Sequence, residues 1–217
     1  MPPKVIALVG GGQAAGKKSI CNAISKRLQD WQVSDIVIVS LSDFAQAVDE
    51  ASNPEGPEAI DFIRAEKYIT ALSNSLVIVE GMYALYAQTL RKLGNIRIYV
   101  DLDADLRLSR RITRDTERGL DLSFVLDNYL KHAKPAMEQF IIGTKPTADV
   151  VLMRGTEPSG IELIAGAIFD LLTAERTADV RTVHSDSGGP AWQASSLRGF
   201  KQNLLEADRA ISFYELA

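Results

Sequence analysis

Apolar residues along the chain form short continuous runs, separated by longer stretches with helical spacing. Continuous runs such as Val5–Val9 and Leu76–Val79 predict buried strands of a parallel sheet, because a strand covered on both faces must be apolar on both. Between these runs, Ile20, Ile24 and Leu28 recur on one helix face. The predicted strands are Val5–Val9, Asp35–Ser40, Leu76–Val79, Ile96–Val100 and Asp149–Met153, and the predicted helices are Ser19–Trp31, Glu58–Leu72, Ala104–Arg118, Ser123–Ile142 and Ile161–Glu175.

Strands that alternate with helices predict βαβ units and one five-stranded parallel sheet flanked by helices, which is an α/β three-layer sandwich. We predict that this domain spans residues 1–176. The next residues are polar and contain Gly and Pro, and helical spacing returns at 194–214, so residues 177–217 are interpreted as a linker plus a C-terminal helical tail. The pattern leaves open whether this tail packs on the domain or binds a partner.

A glycine-rich segment follows the first predicted strand, at the edge where parallel sheets bind their ligands. Residues 11–17, Gly-Gly-Gln-Ala-Ala-Gly-Lys, fit GxxxxGK between a strand and a helix, which predicts a P-loop and the P-loop NTPase fold. Its N–H groups and the helix dipole favour phosphate, and Lys17 adds a positive charge. The predicted nucleotide-binding residues are Gly11, Gly12, Gln13, Ala14, Ala15, Gly16, Lys17, Lys18 and Ser19.

Two other interpretations of this segment explain less. The spacing Gly10-x-Gly12-x-x-Ala15 loosely matches a dinucleotide-binding fingerprint, but that interpretation gives Lys17 no role. A glycine-rich turn without a ligand is the second alternative. The order of strand, loop, lysine and helix favours the P-loop over both.

The segment departs from the usual P-loop at residue 18, where a hydroxyl normally ligates Mg²⁺. Lys18 occupies that position, and the hydroxyl comes one residue later, at Ser19. A charged lysine cannot ligate a metal ion, but it can act as a fixed cation near the phosphates. Otherwise Mg²⁺ must be held by other groups and water. We predict Ser19 and Glu80 as the metal ligands, because Glu80 ends a buried strand at the ligand-binding edge.

An arginine-rich helix is the second candidate for phosphate chemistry. Arg107, Arg111, Arg114 and Arg118 stack on one face at i, i+4, i+7 and i+11, with Arg110 beside them. Arginine binds phosphate with two parallel hydrogen bonds, so the helix is interpreted as a lid over the transferred phosphate. The alternative is a solvated helix face paired with nearby carboxylates.

The central block resembles a known family. Residues 100–115 read VDLDADLRLSRRITRD, and Glu-Arg-Gly at 117–119, Asn-Tyr at 128–129, Lys-Pro-Ala at 134–136 and Ala-Asp-Val at 148–150 follow. Together they resemble the second half of uridine–cytidine kinases, and Glu-Gly-Met-Tyr-Ala at 80–84 is similar to that family's Glu-Gly-Ile strand end. The resemblance covers about residues 4–175. It implies transfer of phosphate from ATP, or GTP, with Mg²⁺ to the 5′-hydroxyl of a pyrimidine nucleoside, and it leaves a homo-oligomer open.

The resemblance also implies roles for individual residues. Arg111 and Arg114 would bridge the phosphates and the substrate, and Asn128 stands where the family usually has a substrate-contacting glutamine. The family's catalytic Asp falls on Ser42 or Asp43, and we expect Asp43 because a serine cannot act as a carboxylate base. The implied catalytic residues are Asp43, Lys17, Arg111 and Arg114, and the implied substrate-binding residues are Glu55, Tyr83, Arg111, Arg114 and Asn128.

Two departures from the family bear on function. Residues 55–58, Glu-Gly-Pro-Glu, replace the family's Asp-His-Pro-Asp, and the stretch between Glu58 and Glu80 is shorter by roughly one hairpin on the usual scale. The missing part resembles the hairpin that holds the pyrimidine base. The alternative function is therefore a catalytically degenerate P-loop protein that binds nucleotide and acts through protein partners.

Composition and charge indicate which classes of partner and which cellular compartment to expect. With 46% hydrophobic residues and a net charge of −4, the chain has no bulk positive charge to attract nucleic acid or an anionic membrane. The apolar runs are too short for a membrane span. A single cysteine, Cys21, suits a reducing compartment. We expect a cytoplasmic protein, with the nucleus as a further location, that acts on a small molecule.

Overall fold

The computed structural model describes residues 5–49, 52–153 and 157–182, of which 175–182 are described as helix backbone only. Its centre is a five-stranded sheet in the order β2-β3-β1-β4-β5, with every neighbouring pair parallel. The strands are β1 (Val5–Gly11), β2 (Ile36–Ser40), β3 (Leu76–Glu80), β4 (Ile96–Asp101) and β5 (Val150–Met153). All five strands predicted from the apolar runs are confirmed.

Seven α-helical segments belong to the described residues. They are α1 (Lys17–Asp30), α2 (Phe62–Ala71), α3 (Gln88–Leu93), α4 (Ala104–Glu117), α5 (Leu122–Asn128), α6 (Lys134–Ala136) and α7 (Pro158–Thr182). Wider π-helical turns, Tyr129–Ala133 and Met137–Ile141, flank α6, and short 3₁₀ turns lie at Leu41–Phe44, Pro57–Ala59 and Ile142–Thr147.

The two faces of the sheet carry separate apolar cores, because successive strand residues point to opposite sides. In β1, Val5, Ala7 and Val9 pack with α1 and α7, whereas Ile6 and Leu8 pack with α2 and α3. Helices therefore cover both faces, and the predicted three-layer α/β sandwich is confirmed.

Some element bounds differ from the sequence prediction. Helix α2 begins at Phe62, four residues after Glu58, because Pro57 opens a separate 3₁₀ turn and the Asp61 carboxylate caps the helix by accepting from the N–H of Arg64. The short helix α3 was not predicted, since six residues are too few for a clear period.

The chain divides into two compact units, Met1–Val180 and Arg181–Ala217. Helix α7 continues to Thr182, so it extends into the start of the predicted linker. The predicted tail lies in residues 183–217, outside the described residues, and it stays a prediction. Within the described part of the chain, no helix combines the length and apolar character needed to span a membrane.

Parallel strands bring their carboxyl ends to one edge of the sheet, and the register shows which residues meet there. Glu80 at the end of β3 lies opposite Ser40 of β2 on one side and Val9 of β1 on the other. Gly11, which ends β1, lies opposite Val100 of β4. The P-loop, Ser40 and Glu80 are thus placed side by side by the sheet itself.

Candidate active site

The P-loop has a backbone that few sequences can adopt. Gly11 and Gly16 have φ angles of 131° and 96°, and Ala14 is left-handed with a φ of 59°. A left-handed non-glycine residue costs free energy and is common at functional sites. Helix α1 begins directly after Gly16, so its unpaired N–H groups end at this loop. The loop combines a helix N-terminus with a run of backbone N–H groups, which suits a bound phosphate.

Two glycines let this loop pass close to β4 and α4. A Cβ atom on Gly11 would lie 2.3 Å from the backbone oxygen of Val100, and a Cβ atom on Gly12 would lie 2.7 Å from Nη1 of Arg107. The first neighbour is a rigid strand, and the second is the end of a flexible side chain. Arg107 itself is anchored by a 2.9 Å hydrogen bond from its Nε to the carbonyl of Leu102.

Lys17 points back along the P-loop. Its Nζ donates to the carbonyl oxygens of Gly11 at 3.1 Å and Gly12 at 2.8 Å. Burial lowers the pKa of Lys17 to about 8, and the nearby negative charge of Glu80 partly opposes that shift. The buried ammonium therefore has little solvation to lose, and nearby anionic phosphates would stabilise its charge.

Glu80 lies buried at the end of β3, where the sequence predicted a metal-facing carboxylate. The hydroxyl of Ser40 donates to its Oε1 at 2.6 Å, and the hydroxyls of Ser40 and Ser42 are 2.7 Å apart. Carboxylate and hydroxyl oxygens are the ligands that Mg²⁺ prefers, and Mg²⁺ commonly needs only one or two protein carboxylates besides phosphate and water. The oxygen donors around Glu80 thus fit Mg²⁺.

The predicted metal ligand Ser19 is not brought to this carboxylate. Ser19 and Lys18 are both exposed on the first turn of α1, and neither lines the cavity beside Glu80. Among the described residues, no group of three or more His, Cys, Asp or Glu side chains is arranged to hold a metal ion. The hydroxyl oxygens beside Glu80 are those of Ser40 and Ser42, and no motif in the sequence indicates either residue as a metal ligand.

A cavity of about 310 Å³ opens between the P-loop and the segment after β2. Its floor includes Lys17 and Glu80, and its far wall is the loop around Glu55. The polar side chains that line it are Gln13, Lys17, Ser40, Ser42, Glu55, Glu80 and Tyr83. Side chains of the P-loop, of the end of β3 and of the Glu55 loop therefore face one open cavity.

The loop that carries Glu55 is fixed by hydrogen bonds to its backbone. The Tyr83 hydroxyl donates to the carbonyl of Glu55, and the N–H of Glu55 donates to Oδ1 of Asn53 at 2.9 Å. Nδ2 of Asn53 in turn donates to the carbonyl of His132 at 2.9 Å. Burial raises the pKa of Tyr83, so its phenol stays protonated. Tyr83 lines the cavity, but its hydroxyl is occupied in holding the loop, and its predicted contact with substrate stays a prediction.

Arg111 is the member of the arginine face that contacts residues lining the cavity, namely Gln13 and Glu55. Its guanidinium donates to Oε1 of Glu55 at 3.1 Å, to the side-chain oxygen of Gln13 and to the side-chain oxygen of Asn128. Only 6% of Arg111 is exposed to solvent. One arginine of the predicted lid thus joins the P-loop, the Glu55 loop and α5, and the substrate contact predicted for Asn128 stays a prediction.

Arg114 takes a different position from Arg111. Its Nε and Nη2 donate to the two carboxylate oxygens of Asp115 at 2.7 and 3.0 Å, and this pair lowers the pKa of Asp115. Arg118 lies 3.9 Å from the same carboxylate. Asp115 therefore neutralises part of the arginine face, as in the solvated alternative, and its carboxylate also lies 3.5 Å from Nε of Arg111.

Asp43 does not face the cavity. It lines a separate hollow of about 300 Å³ with Arg64 and Tyr68, next to the edge strand β2. The 3₁₀ turn Leu41–Phe44 rotates successive side chains by about a third of a turn, so Ser42 faces the cavity while Asp43 faces away. The residue that lines the cavity after β2 is therefore Ser42, and the predicted base Asp43 lies outside the cavity.

Comparisons with known proteins agree with this geometry. Residues 63–159 match the family model described as the phosphoribulokinase / uridine kinase family. The chain is 31% identical to uridine-cytidine kinase 2-B of Danio rerio, over 87% of this chain and 88% of that protein. It is 33% identical to uridine-cytidine kinase B of Dictyostelium discoideum, over 78% of this chain and 83% of that protein.

Solved structures support the fold. A Silicibacter protein provisionally described as a fructose transport system kinase superposes with a TM-score of 0.57 at 16% identity, covering 70% of this chain and 91% of that one. At this identity the likeness concerns the fold, which is the α/β fold of P-loop kinases.

Proposed function

The chain belongs to the uridine–cytidine kinase family, and from this premise we propose that it transfers the γ-phosphate of ATP to the 5′-hydroxyl of a pyrimidine nucleoside. The observation that carries the proposal is the position of Arg111. Its guanidinium contacts Gln13 of the P-loop and Glu55 of the opposite wall, over a cavity lined by Lys17 and Glu80. A phosphate donor and a hydroxyl acceptor would meet beneath one arginine.

The donor side of the proposed reaction uses the P-loop. ATP, or GTP, would place its phosphates against the loop N–H groups, and Lys17 would turn from the carbonyls of Gly11 and Gly12 toward the β- and γ-phosphates. Glu80 would hold Mg²⁺ beside the hydroxyls of Ser40 and Ser42. Mg²⁺, when bound, neutralises charge on the transferred group. Arg111 adds a further positive charge from the lid side.

The acceptor side uses the Glu55 wall and the lid. Glu55 and Asn128 are both hydrogen-bonded to Arg111, so the groups proposed to contact the nucleoside are already positioned together. The stretch between Glu58 and Glu80 is short, so this region of the chain offers few side chains to contact the pyrimidine base. We therefore propose a pyrimidine nucleoside as substrate on the strength of the family, and the ribose hydroxyls as its main points of attachment.

A second candidate function is nucleotide binding without catalysis. The observation that favours it is that Ser42, rather than a carboxylate, faces the cavity after β2, while Lys18 stands at the usual metal-binding hydroxyl. A chain with both changes could retain phosphate binding and act through protein partners.

Phosphate transfer from ATP to uridine and cytidine with Mg²⁺ is the decisive experiment, with Lys17→Ala as the control. Turnover that Lys17→Ala abolishes would establish the kinase. If ATP binds by calorimetry but no nucleoside is phosphorylated, the second candidate function replaces the first.

We also propose a cellular location for the protein. A cytoplasmic location, extending to the nucleus, is supported by the free and buried thiol of Cys21, whose pKa burial raises to about 12. The resemblance leaves a homo-oligomer open, and light scattering of the purified chain tests it.

A further inference from the structure

A hydroxyl that attacks phosphorus must give up a proton, and a positioned carboxylate is the usual acceptor in kinases. Among the described residues that line the cavity, the carboxylates are those of Glu55 and Glu80. Asp43 lies in the separate hollow with Arg64 and Tyr68. The choice of acceptor is therefore between Glu55 and Glu80.

Glu80 is committed to the phosphate end of the cavity. It is buried, it accepts from the Ser40 hydroxyl at 2.6 Å, and its charge acts on the buried ammonium of Lys17. A carboxylate that accepts from Ser40 and lies near Lys17 belongs to the phosphate end of the cavity. It stabilises charge there and is poorly placed to receive a proton from the acceptor.

One carboxylate oxygen of Glu55, Oε2, receives only a weak hydrogen bond from a described residue. Arg111 donates to Oε1 at 3.1 Å, whereas the nearest described donor to Oε2 is Nε2 of Gln13 at 3.5 Å, which is the outer limit of a hydrogen bond. The loop backbone is held by Tyr83 and Asn53, so the carboxylate projects from a fixed position. Arg111 and Gln13 also place this carboxylate in one network with the P-loop.

We propose that Glu55 is the catalytic base of this chain, a role that rests on the proposed kinase function. The substrate oxygen forms its bond to the γ-phosphorus while the bond from that phosphorus to the β–γ bridging oxygen breaks. ADP leaves with the bonding electron pair, and the hydroxyl proton passes to Oε2 of Glu55, which later releases it to water. Glu55 thus replaces the carboxylate that the turn after β2 does not present to the cavity.

The test compares Glu55→Gln with Glu58→Gln in the full-length chain. Glu58 is an exposed glutamate three residues further along the same loop, and it does not line the cavity. We expect Glu55→Gln to lower kcat for the best nucleoside by about 100-fold or more, while the ATP Kd changes by less than about twofold. Glu58→Gln should keep the kcat of the wild type, and thermal melting should show that both variants fold.

A second variant separates proton transfer from substrate binding. Because Ser42 lines the same cavity, Ser42→Asp in the Glu55→Gln background supplies a carboxylate from the neighbouring wall. We expect kcat to recover by about tenfold or more, since a restored base contributes at the low end of general-base catalysis. Ser42→Ala in the same background should give no recovery.

The outcomes are distinct. A Glu55→Gln variant with normal kcat and only a raised KM would make Glu55 a binding residue and overturn the inference, as would loss of kcat in Asp43→Asn with none in Glu55→Gln. In both cases the wild-type kinase activity, and hence the proposed function, would stand. A wild-type chain that phosphorylates no nucleoside would overturn both.

Discussion

Arg111 and Glu55 form a largely buried ion pair, with Nη2 of the arginine 3.1 Å from Oε1 of the glutamate and their side chains 7% and 18% exposed. The arginine belongs to α4 and the glutamate to the loop across the cavity. Because the same guanidinium also donates to Gln13 and Asn128, four segments meet at one planar group. Arginine can do this because its five N–H donors lie in a fixed fork.

Arg111→Lys should strongly reduce activity although the substitution keeps the positive charge. A lysine ammonium is a single point and cannot reach Gln13, Glu55 and Asn128 together. We expect kcat to fall by about 100-fold or more, since an arginine at a transferred phosphate contributes at least that much. Arg118→Lys is the control, because Arg118 is 69% exposed and makes only a 3.9 Å contact. Equal kcat in the two variants would contradict the assigned role.

Asp115→Asn should destabilise the protein in a pH-dependent way. Arg114, then Arg111 and Arg118, hold the pKa of Asp115 below its ordinary value, so the carboxylate stabilises the folded state above the unfolded pKa. That stabilisation is lost as the pH falls through the lower, folded pKa. At pH 7 we expect the substitution to cost about 1–3 kcal/mol of unfolding free energy, between the values for exposed and buried ion pairs.

Urea unfolding at pH 7 and near pH 3 measures this effect. The difference between Asp115→Asn and the wild type should shrink at the lower pH. Asp127→Asn is the matched control, since Asp127 pairs with Lys131 on an exposed surface, and it should change stability by less than about 0.5 kcal/mol at either pH. An equal loss for Asp115→Asn at both pH values would show that packing, and not charge, is responsible.

The fold was largely predictable from the sequence because its signals are local. Each strand is a short apolar run that must be buried on both faces, and the P-loop follows the first of them directly. Helix bounds were less predictable. Pro57 and the capping carboxylate of Asp61 move the start of α2 to Phe62, and the π-helical turns around α6 have no period that a sequence pattern reveals.

The candidate site was predictable in its phosphate-binding half. Lys17 and Glu80 line the cavity, and Arg111 contacts Glu55 in its wall; each of the three can be selected from a motif or a strand end. The acceptor side of the cavity was less predictable, because it depends on the geometry of one backbone turn. Chemistry alone favoured Asp43, but the 3₁₀ turn after β2 directs Ser42 to the cavity. Ser40 meets Glu80 because of the register between β2 and β3, and a sequence pattern does not predict strand register.

Lys18→Ser should increase the effect of Mg²⁺ on ATP binding. The substitution restores a hydroxyl at the position where P-loops ligate the ion and removes a competing positive charge. We expect the ratio of the ATP Kd without Mg²⁺ to that with Mg²⁺ to rise by about tenfold, the scale on which ligand-shell changes alter metal affinity. Calorimetry measures both constants without turnover. Lys26→Ser removes the same charge from an exposed position of α1 and should leave the ratio unchanged. No difference between the variants would show that Lys18 does not control the ion.

Alanine substitutions at the adjacent glycines Gly11 and Gly12 should affect different properties, namely stability at Gly11 and ATP affinity at Gly12. A methyl group on Gly11 would lie 2.3 Å from the backbone oxygen of Val100 in the central sheet, at a φ of 131° that alanine rarely adopts. We expect Gly11→Ala to cost about 2 kcal/mol or more of unfolding free energy. On Gly12 the methyl group meets the flexible side chain of Arg107, at 2.7 Å from Nη1, 3.0 Å from Cζ and 3.1 Å from Cδ, and this side chain can shift by giving up its hydrogen bond to Leu102. Gly12→Ala should therefore keep its stability within about 1 kcal/mol, while its ATP affinity falls by about tenfold, equivalent to one charge-assisted hydrogen bond. Urea unfolding and ATP calorimetry on both variants check this, and a Gly12→Ala variant less stable than Gly11→Ala would contradict it.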